Sequence, residues 1–189
     1  MTQNLNKINF DKIDNKIFYF FITLISFSFT FYYGNLGVFP LDSFIIFDAG
    51  YKVLNGIHPF KDYWTISGPL LDYLQAIFFF FLETNWFSYV LHAAFINSLL
   101  AIIVYYFYVI IGLKKIYAFL YTTSISILAY PSVGTPFMDH HAVIFSLISI
   151  IFLILSFLKN DKKYWFLSGV FIIFSFFSKQ IPSAYIGLI

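Results

Sequence analysis

The chain of 189 residues is 60% hydrophobic and 24% aromatic but only 11% charged, with a mean hydropathy of +0.82. A soluble domain is about 45–50% apolar and about 25% charged, so a water-soluble core and a disordered chain are both excluded and the class is integral membrane protein. The formal charge is +2, every basic side chain is Lys, and there is no Cys; an arginine-rich nucleic-acid face, a bidentate phosphate clamp and thiolate or disulfide chemistry are excluded.

Residues 1–16 are polar and carry Lys7, Lys12 and Lys16. The apolar run 17–39 that follows is too long for a signal-peptide core and has no small-residue cleavage site behind it, so it predicts a retained signal-anchor span. In the loop 40–68, Asp42 stands before a helical stretch that Asn55-Gly56 would end. Local pattern makes Asp42 its N-cap, Asp48–Lys52 an i,i+4 pair and Gly56 the residue just past the helix.

Residues 69–82 reach about 21 Å at ~1.5 Å per residue, short of a ~30 Å hydrocarbon core. Asp72 and Gln75 stand one turn apart there and give the helix a polar side. Four further spans are predicted at 86–113, 116–133, 142–158 and 164–178, the last short enough to need Lys179 to snorkel to the surface. His92 and Asn97, inside the second span, read as interhelical hydrogen-bond partners. Another apolar run begins at 184–189, so the sequence is expected to be the N-terminal part of a longer protein.

Lysine placement decides the orientation. With 69–82 lying along the outer interface, the inner side holds Lys7, Lys12, Lys16, Lys114, Lys115, Lys159, Lys162 and Lys163 against Lys52, Lys61 and Lys179 outside, eight against three. If 69–82 crossed, the balance would be four against seven. The expected fold is all-α: a polytopic transmembrane helix bundle, one domain over 1–189, with interfacial helices in the first outer loop. Asp42, Asp48, Asp62, Asp72, Glu83 and Asp139 then share the outer face with His58, His140 and His141.

Asp42 just outside the first span, then Gly56-x-x-Pro59-Phe60-x-Asp62 and a Gly-Pro leading into an amphipathic segment, resembles the GT-C superfamily of membrane glycosyltransferases. The nearest branches are similar to the protein O-mannosyltransferases, the aminoarabinose transferase of lipid A and the RgtA/B/C/D-like enzymes. Pro131-Ser-Val-Gly-Thr-Pro136-Phe-Met-Asp139-His140-His141 resembles the family's second outer loop, and Phe177-Ser178-Lys179-Gln180-Ile181-Pro182 its Lys-Gly/Gln-Pro segment. Two departures stand out: Ser67-Gly68-Pro69 replaces the family's Lys-Pro-Pro, and Asp42-Ser43 replaces its Asp-Glu pair.

The resemblance implies sugar transfer from a polyprenyl-phosphate donor to an acceptor hydroxyl at the extracytoplasmic face, with inversion. Asp42 would be the general base and Asp139 the second carboxylate. Lys179, with Lys61 and His58, would offset phosphate charge, and Asp62, His140, Tyr63 and Trp64 would bind acceptor or sugar. The bland alternatives are Asp139 as an N-cap, Lys179 as a snorkelling anchor, and Tyr63 and Trp64 as interfacial anchors.

No cofactor is implied. A divalent metal on Asp139 with one His is the weaker option, since His140 and His141 point about 100° apart on a helix. The partners are membrane lipid, the lipid-linked donor and a glycan, lipid or protein acceptor, with no nucleic acid. The expected location is a bacterial inner membrane with the N-terminus cytoplasmic. Competing readings are a transporter or flippase of lipid-linked saccharides and a non-catalytic membrane subunit. Near charge-free spans and acids crowded at one rim favour surface chemistry over a transporter, while the subunit reading predicts that Asp42→Asn and Asp139→Asn would be silent.

Overall fold

The computed structural model describes residues 13–38, 42–129 and 134–188, and among these it is all-helical apart from one isolated bridge between Pro59 and Tyr63. Three helices are long and apolar enough to cross a membrane: Asn15–Gly34 (α1), Trp86–Ile110 (α4) and Met138–Lys159 (α6). Asp14 starts α1 by accepting from the Lys16 N–H at 3.0 Å, and Asn85 caps α4 through the Ser88 N–H at 2.9 Å, each satisfying one of the donors a helix start leaves over. Phe18, Ile22, Ser26, Thr30 and Gly34 recur every fourth residue as the buried stripe of α1, which packs on α4 and on Lys115–Leu128 (α5). Lys162–Ser178 (α7), capped by Asp161, lies along α6 and is followed by Gln180–Gly187 (α8).

The expected spans 116–133 and 164–178 fold as helices of 14 and 17 residues. At ~1.5 Å per residue these reach about 21 and 26 Å, below a ~30 Å core. Residues 130–133 of the first of them lie outside the described residues, as do 39 and 189 at the ends of two other expected runs.

Polar groups join the helices inside the stack. Asn97 Nδ2 donates to Thr30 Oγ1 at 2.7 Å and to the Ser126 carbonyl at 2.8 Å, tying α4 to α1 and α5. Ser146 meets Ser175 at 2.6 Å and Ser149 meets Ser168 at 3.2 Å between α6 and α7. Small hydroxyl residues allow the close approach that helices need where no hydrophobic driving force separates lipid from protein.

Alternating helix directions bring particular termini together. At one end, Trp86 Nε1 donates to the Gly34 carbonyl (2.9 Å), the Gly68 N–H to the Ser178 carbonyl (3.1 Å), and Lys179 pairs with Asp139. At the other end, Lys115 Nζ donates to the Ile13 carbonyl (2.7 Å) and Tyr106 meets Tyr164. The first of these ends gathers the ends of α1 and α7, the starts of α4 and α6, and the loop that ends at Pro69.

Ile45–Leu54 (α2) and Leu70–Leu82 (α3) pack on each other at that first end. Past α2, the Ile57 N–H returns to the Lys52 carbonyl and the Gly56 N–H to the Val53 carbonyl, with Gly56 at φ +79°. This is the left-handed stop that glycine adopts without penalty. Asp42 is not the N-cap of α2: it sits in a preceding turn, its carbonyl accepting from the Ile45 N–H, while Phe44 holds the cap position without a side-chain bond. The polar side of α3 also faces inward. Asp72 and Gln75 are fully buried, while Ile77, Phe80 and Phe81 are exposed.

Candidate functional site

The end where these helix termini converge carries three groups of polar side chains. In the first, Asp139 and Lys179 form an ion pair at 2.6 Å, joining the first turn of α6 to the residue after α7. Asp139 is therefore not the N-cap of α6. The helix starts at Met138 with Phe137 in the cap position, which leaves the carboxylate in the first turn, free to reach across. Negative charge there also suits the helix dipole. Lys179 is bound to that carboxylate rather than simply extended to a surface.

Beside this pair a cavity of about 320 Å³ runs between α4, α5 and α6, lined by Leu100, Ile125, Val143 and Leu147 with Asp139 and His140 at the α6 start. Its walls are almost wholly apolar, so it can hold a hydrocarbon chain whose polar end meets Asp139 and Lys179. His140 is half-buried and its neighbour His141 fully buried, with His141 Nδ1 3.0 Å from the Phe137 carbonyl. The two rings diverge as adjacent helix positions require. Among the described residues no three His, Asp or Glu side chains gather to hold a metal ion.

The second group is a braced turn at residues 58–63. The Asp62 carboxylate accepts from the His58 N–H at 2.8 Å, the Asp62 N–H donates to the His58 carbonyl at 2.9 Å, and the Phe60 N–H to the Tyr63 carbonyl at 2.8 Å. Phe60 sits at φ +65°, rare for a bulky side chain. His58 stacks on Tyr73, whose hydroxyl lies 3.2 Å from His58 Nδ1. Lys61 is exposed and only 3.9 Å from Asp62, a contact worth well under ~1 kcal/mol.

Tyr63 and Trp64 belong to a third group that includes residues sequence reasoning left unassigned. The Tyr63 hydroxyl donates to Asp72 Oδ2 at 2.7 Å, and Asp72 is fully buried with Oδ1 unpartnered. Burial raises the Asp72 carboxyl to about 6; the Tyr63 hydrogen bond and the Lys52 charge pull the other way but do not cancel it. The Tyr63 phenol is held above its usual range, first by burial and then by Asp72. Lys52 lies 5.1 Å from the Tyr63 ring centre and forms the expected i,i+4 pair with Asp48 at 2.6 Å.

Behind α3, Gln75 Oε1 lies 2.9 Å from His92 Nδ1, and the His92 ring centre is 5.0 Å from that of His141. The expected interhelical roles of His92 and Asn97 are both present. Gly50 makes the α2–α3 approach possible, since a Cβ there would fall 2.6 Å from the Gln75 side chain. The signals in the sequence for this seam were the i,i+3 spacing of Asp72 and Gln75 and the placing of His92 inside an apolar span.

Among the described residues no side-chain hydrogen bond or ion pair links Asp139 or Lys179 to the other two groups, and Asp42 makes none at all. The Asp42 carboxylate is half-buried. Comparison with protein-family models, with curated proteins and with solved structures finds no match for this chain.

Proposed function

We propose that this chain is a membrane glycosyltransferase of the GT-C type. In this reading it is a polytopic bundle whose α2–α3 pair lies at the extracytoplasmic interface of a bacterial inner membrane. It takes a sugar from a polyprenyl-phosphate donor and passes it, with inversion, to an acceptor hydroxyl.

The observation that carries the reading is the Asp139–Lys179 pair set beside an apolar cavity of about 320 Å³. A prenyl chain would lie against Leu100, Val143 and Leu147 while Lys179 meets the phosphate, where a fixed cation stabilises leaving-group charge most effectively. Asp139 would orient Lys179 until the phosphate arrives.

The base assignment comes from the resemblance, and the engagement of most other carboxylates at this end supports it. Asp48 is tied to Lys52, Asp62 to the His58 N–H, Asp139 to Lys179 and Asp72 to Tyr63. Asp42 and Glu83 carry no such partner among the described residues, and Asp42 is the one at the position that the resemblance gives the base. It would accept the acceptor O–H proton as the new C1–O bond forms. The C1–O bond to phosphate breaks at the same time, and the electron pair leaves with the prenyl phosphate. A positioned base contributes roughly 10²–10⁴-fold.

The test uses the full chain in proteoliposomes with a labelled polyprenyl-phosphate sugar and reads label leaving the donor. Asp42→Asn is expected to abolish release while insertion and expression persist. Full activity in Asp42→Asn would overturn the assignment, and intact donor crossing the bilayer in that variant would favour a flippase instead.

A further inference from the structure

A second cavity, of about 230 Å³, opens between α2 and the segment 63–66 and is distinct from the apolar one. It is smaller than the ~300–1,000 Å³ that drug-sized ligands need, which fits a single ring rather than a lipid chain. Its lining brings together a carboxylate and an ammonium (Asp48 and Lys52), a hydroxyl (Thr65) and two aromatic rings (Tyr63 and Trp64). Trp64 is 81% exposed although it is the largest side chain in the segment. Asp48 spends one oxygen on Lys52 and is 60% exposed, leaving lone pairs open to a ligand.

The Tyr63 ring is held in place by the protein rather than left to a ligand. Tyr63 is covered by Lys52 and pinned at its hydroxyl by Asp72, a carboxylate buried with one oxygen unsatisfied. Burying an acid in that way is costly, and its one side-chain partner among the described residues is the Tyr63 hydroxyl. The positive φ of Phe60 and the hydrogen bonds across 58–63 brace the same segment from the other side. A fixed Tyr63 wall with charged donors and acceptors at the rim lowers the ordering cost of binding.

We propose that this cavity is a saccharide subsite: the C–H face of one pyranose ring lies on Trp64 and Tyr63, and its hydroxyls bond to Asp48, Lys52 and Thr65. Charge-assisted bonds to a sugar hydroxyl are about twice as strong as neutral ones, and an aromatic face supplies contact area without demanding a donor. The role of the subsite as the acceptor site rests on the glycosyl-transfer reading, and it makes the acceptor a glycan rather than a protein or simple lipid. Asp62 and His140 lie outside it.

Binding is measured on the full chain in a detergent without sugar headgroups, by titrating free hexoses, hexosamines and their disaccharides to about 100 mM, some hundredfold above a millimolar Kd. Intrinsic fluorescence is the readout, since Trp64 is one of three tryptophans. A saturable change is expected with at least one sugar class, lost in Trp64→Ala and weakened roughly tenfold in Asp48→Asn. Lys162→Gln, at the start of α7 and the opposite end of the stack, should leave it intact. No saturable change with any sugar, or a change that survives Trp64→Ala, overturns the proposal. Saturable binding without donor turnover would leave the subsite standing and sink the transferase reading; turnover without saccharide binding would do the reverse.

Discussion

Replacing Asp72 by Asn tests the buried carboxyl directly. In the folded chain its pKa stands at about 6, against an ordinary value of 3.8, so from about pH 4 to about pH 6 the folded state holds a proton that the unfolded chain has lost. Stability contributed by the protonated form is fully present below about pH 4 and is lost as pH rises through about 6. At ~1.36 kcal/mol per pH unit the loss amounts to about 3 kcal/mol. Asn accepts the Tyr63 hydroxyl in the same place and carries no charge, so its stability should be flat over the window. Its amide leaves one unpartnered donor, a roughly constant cost of about 1–3 kcal/mol. The variant is therefore expected to be less stable than the parent near pH 4 and to gain about 3 kcal/mol on it by pH 8. For a chain of this length that corresponds to roughly 6–12 °C, read by thermal denaturation in micelles on both proteins across the range. A difference that stays constant with pH, or moves in the parent's favour as pH rises, refutes the reasoning.

Gly68→Ala would put a Cβ 1.9 Å from the Phe177 carbonyl oxygen, so the loop must leave α7; a loss of at least ~2 kcal/mol and faster proteolysis of residues 58–69 are expected. Asn97→Ala removes the bonds to Thr30 and Ser126 and should lower thermal stability by about 1–2 kcal/mol, since interhelical bonds in membranes average ~0.6 kcal/mol each. Lys179→Met frees Asp139, which is 41% exposed; stability should change by less than ~1 kcal/mol, whereas donor turnover should fall roughly 10²-fold.

Composition and hydropathy were enough to read the helical class and the three helices long and apolar enough to cross a membrane, because hydropathy is a property of contiguous sequence. The Asp48–Lys52 pair and the Gly56 stop were also legible, being contacts within five residues. Distant contacts were not. Asp139 and Lys179 were assigned to the same rim, but nothing at a separation of 40 residues specifies an ion pair. The spacing of Asp72 and Gln75 revealed a polar face without saying which way it points. The structure turns it inward because Gly50 lets α2 close over it and because Tyr63 and His92 offer partners, while Ile77, Phe80 and Phe81 stay outside. Asp42 looked like a cap because its residue type favours one, yet α2 starts three residues later.

The α3–α4 seam carries the last prediction. Gln75 and His92 bond to each other, but Gln75 Nε2 and His92 Nε2 are buried without partners. Removing one member leaves a further orphan and should destabilise by about 1–3 kcal/mol. Removing both, as Gln75→Met with His92→Phe, keeps the volume and the ring stacked on Phe78 at 4.7 Å while deleting both orphans. The double variant should be as stable as the parent or more so, a strongly non-additive cycle. If the seam served only to join two helices, an apolar pair would do so better. Polar atoms kept there at a cost, with Tyr63 on one side and His141 on the other, fit a site that sacrifices stability for function. Donor turnover is accordingly expected to fall at least tenfold in the double variant although its thermal stability holds. A stable double variant with full turnover would reduce the seam to packing, and one as unstable as the sum of its single substitutions would show that the buried amide and imidazole are not the costly pair inferred from their missing partners.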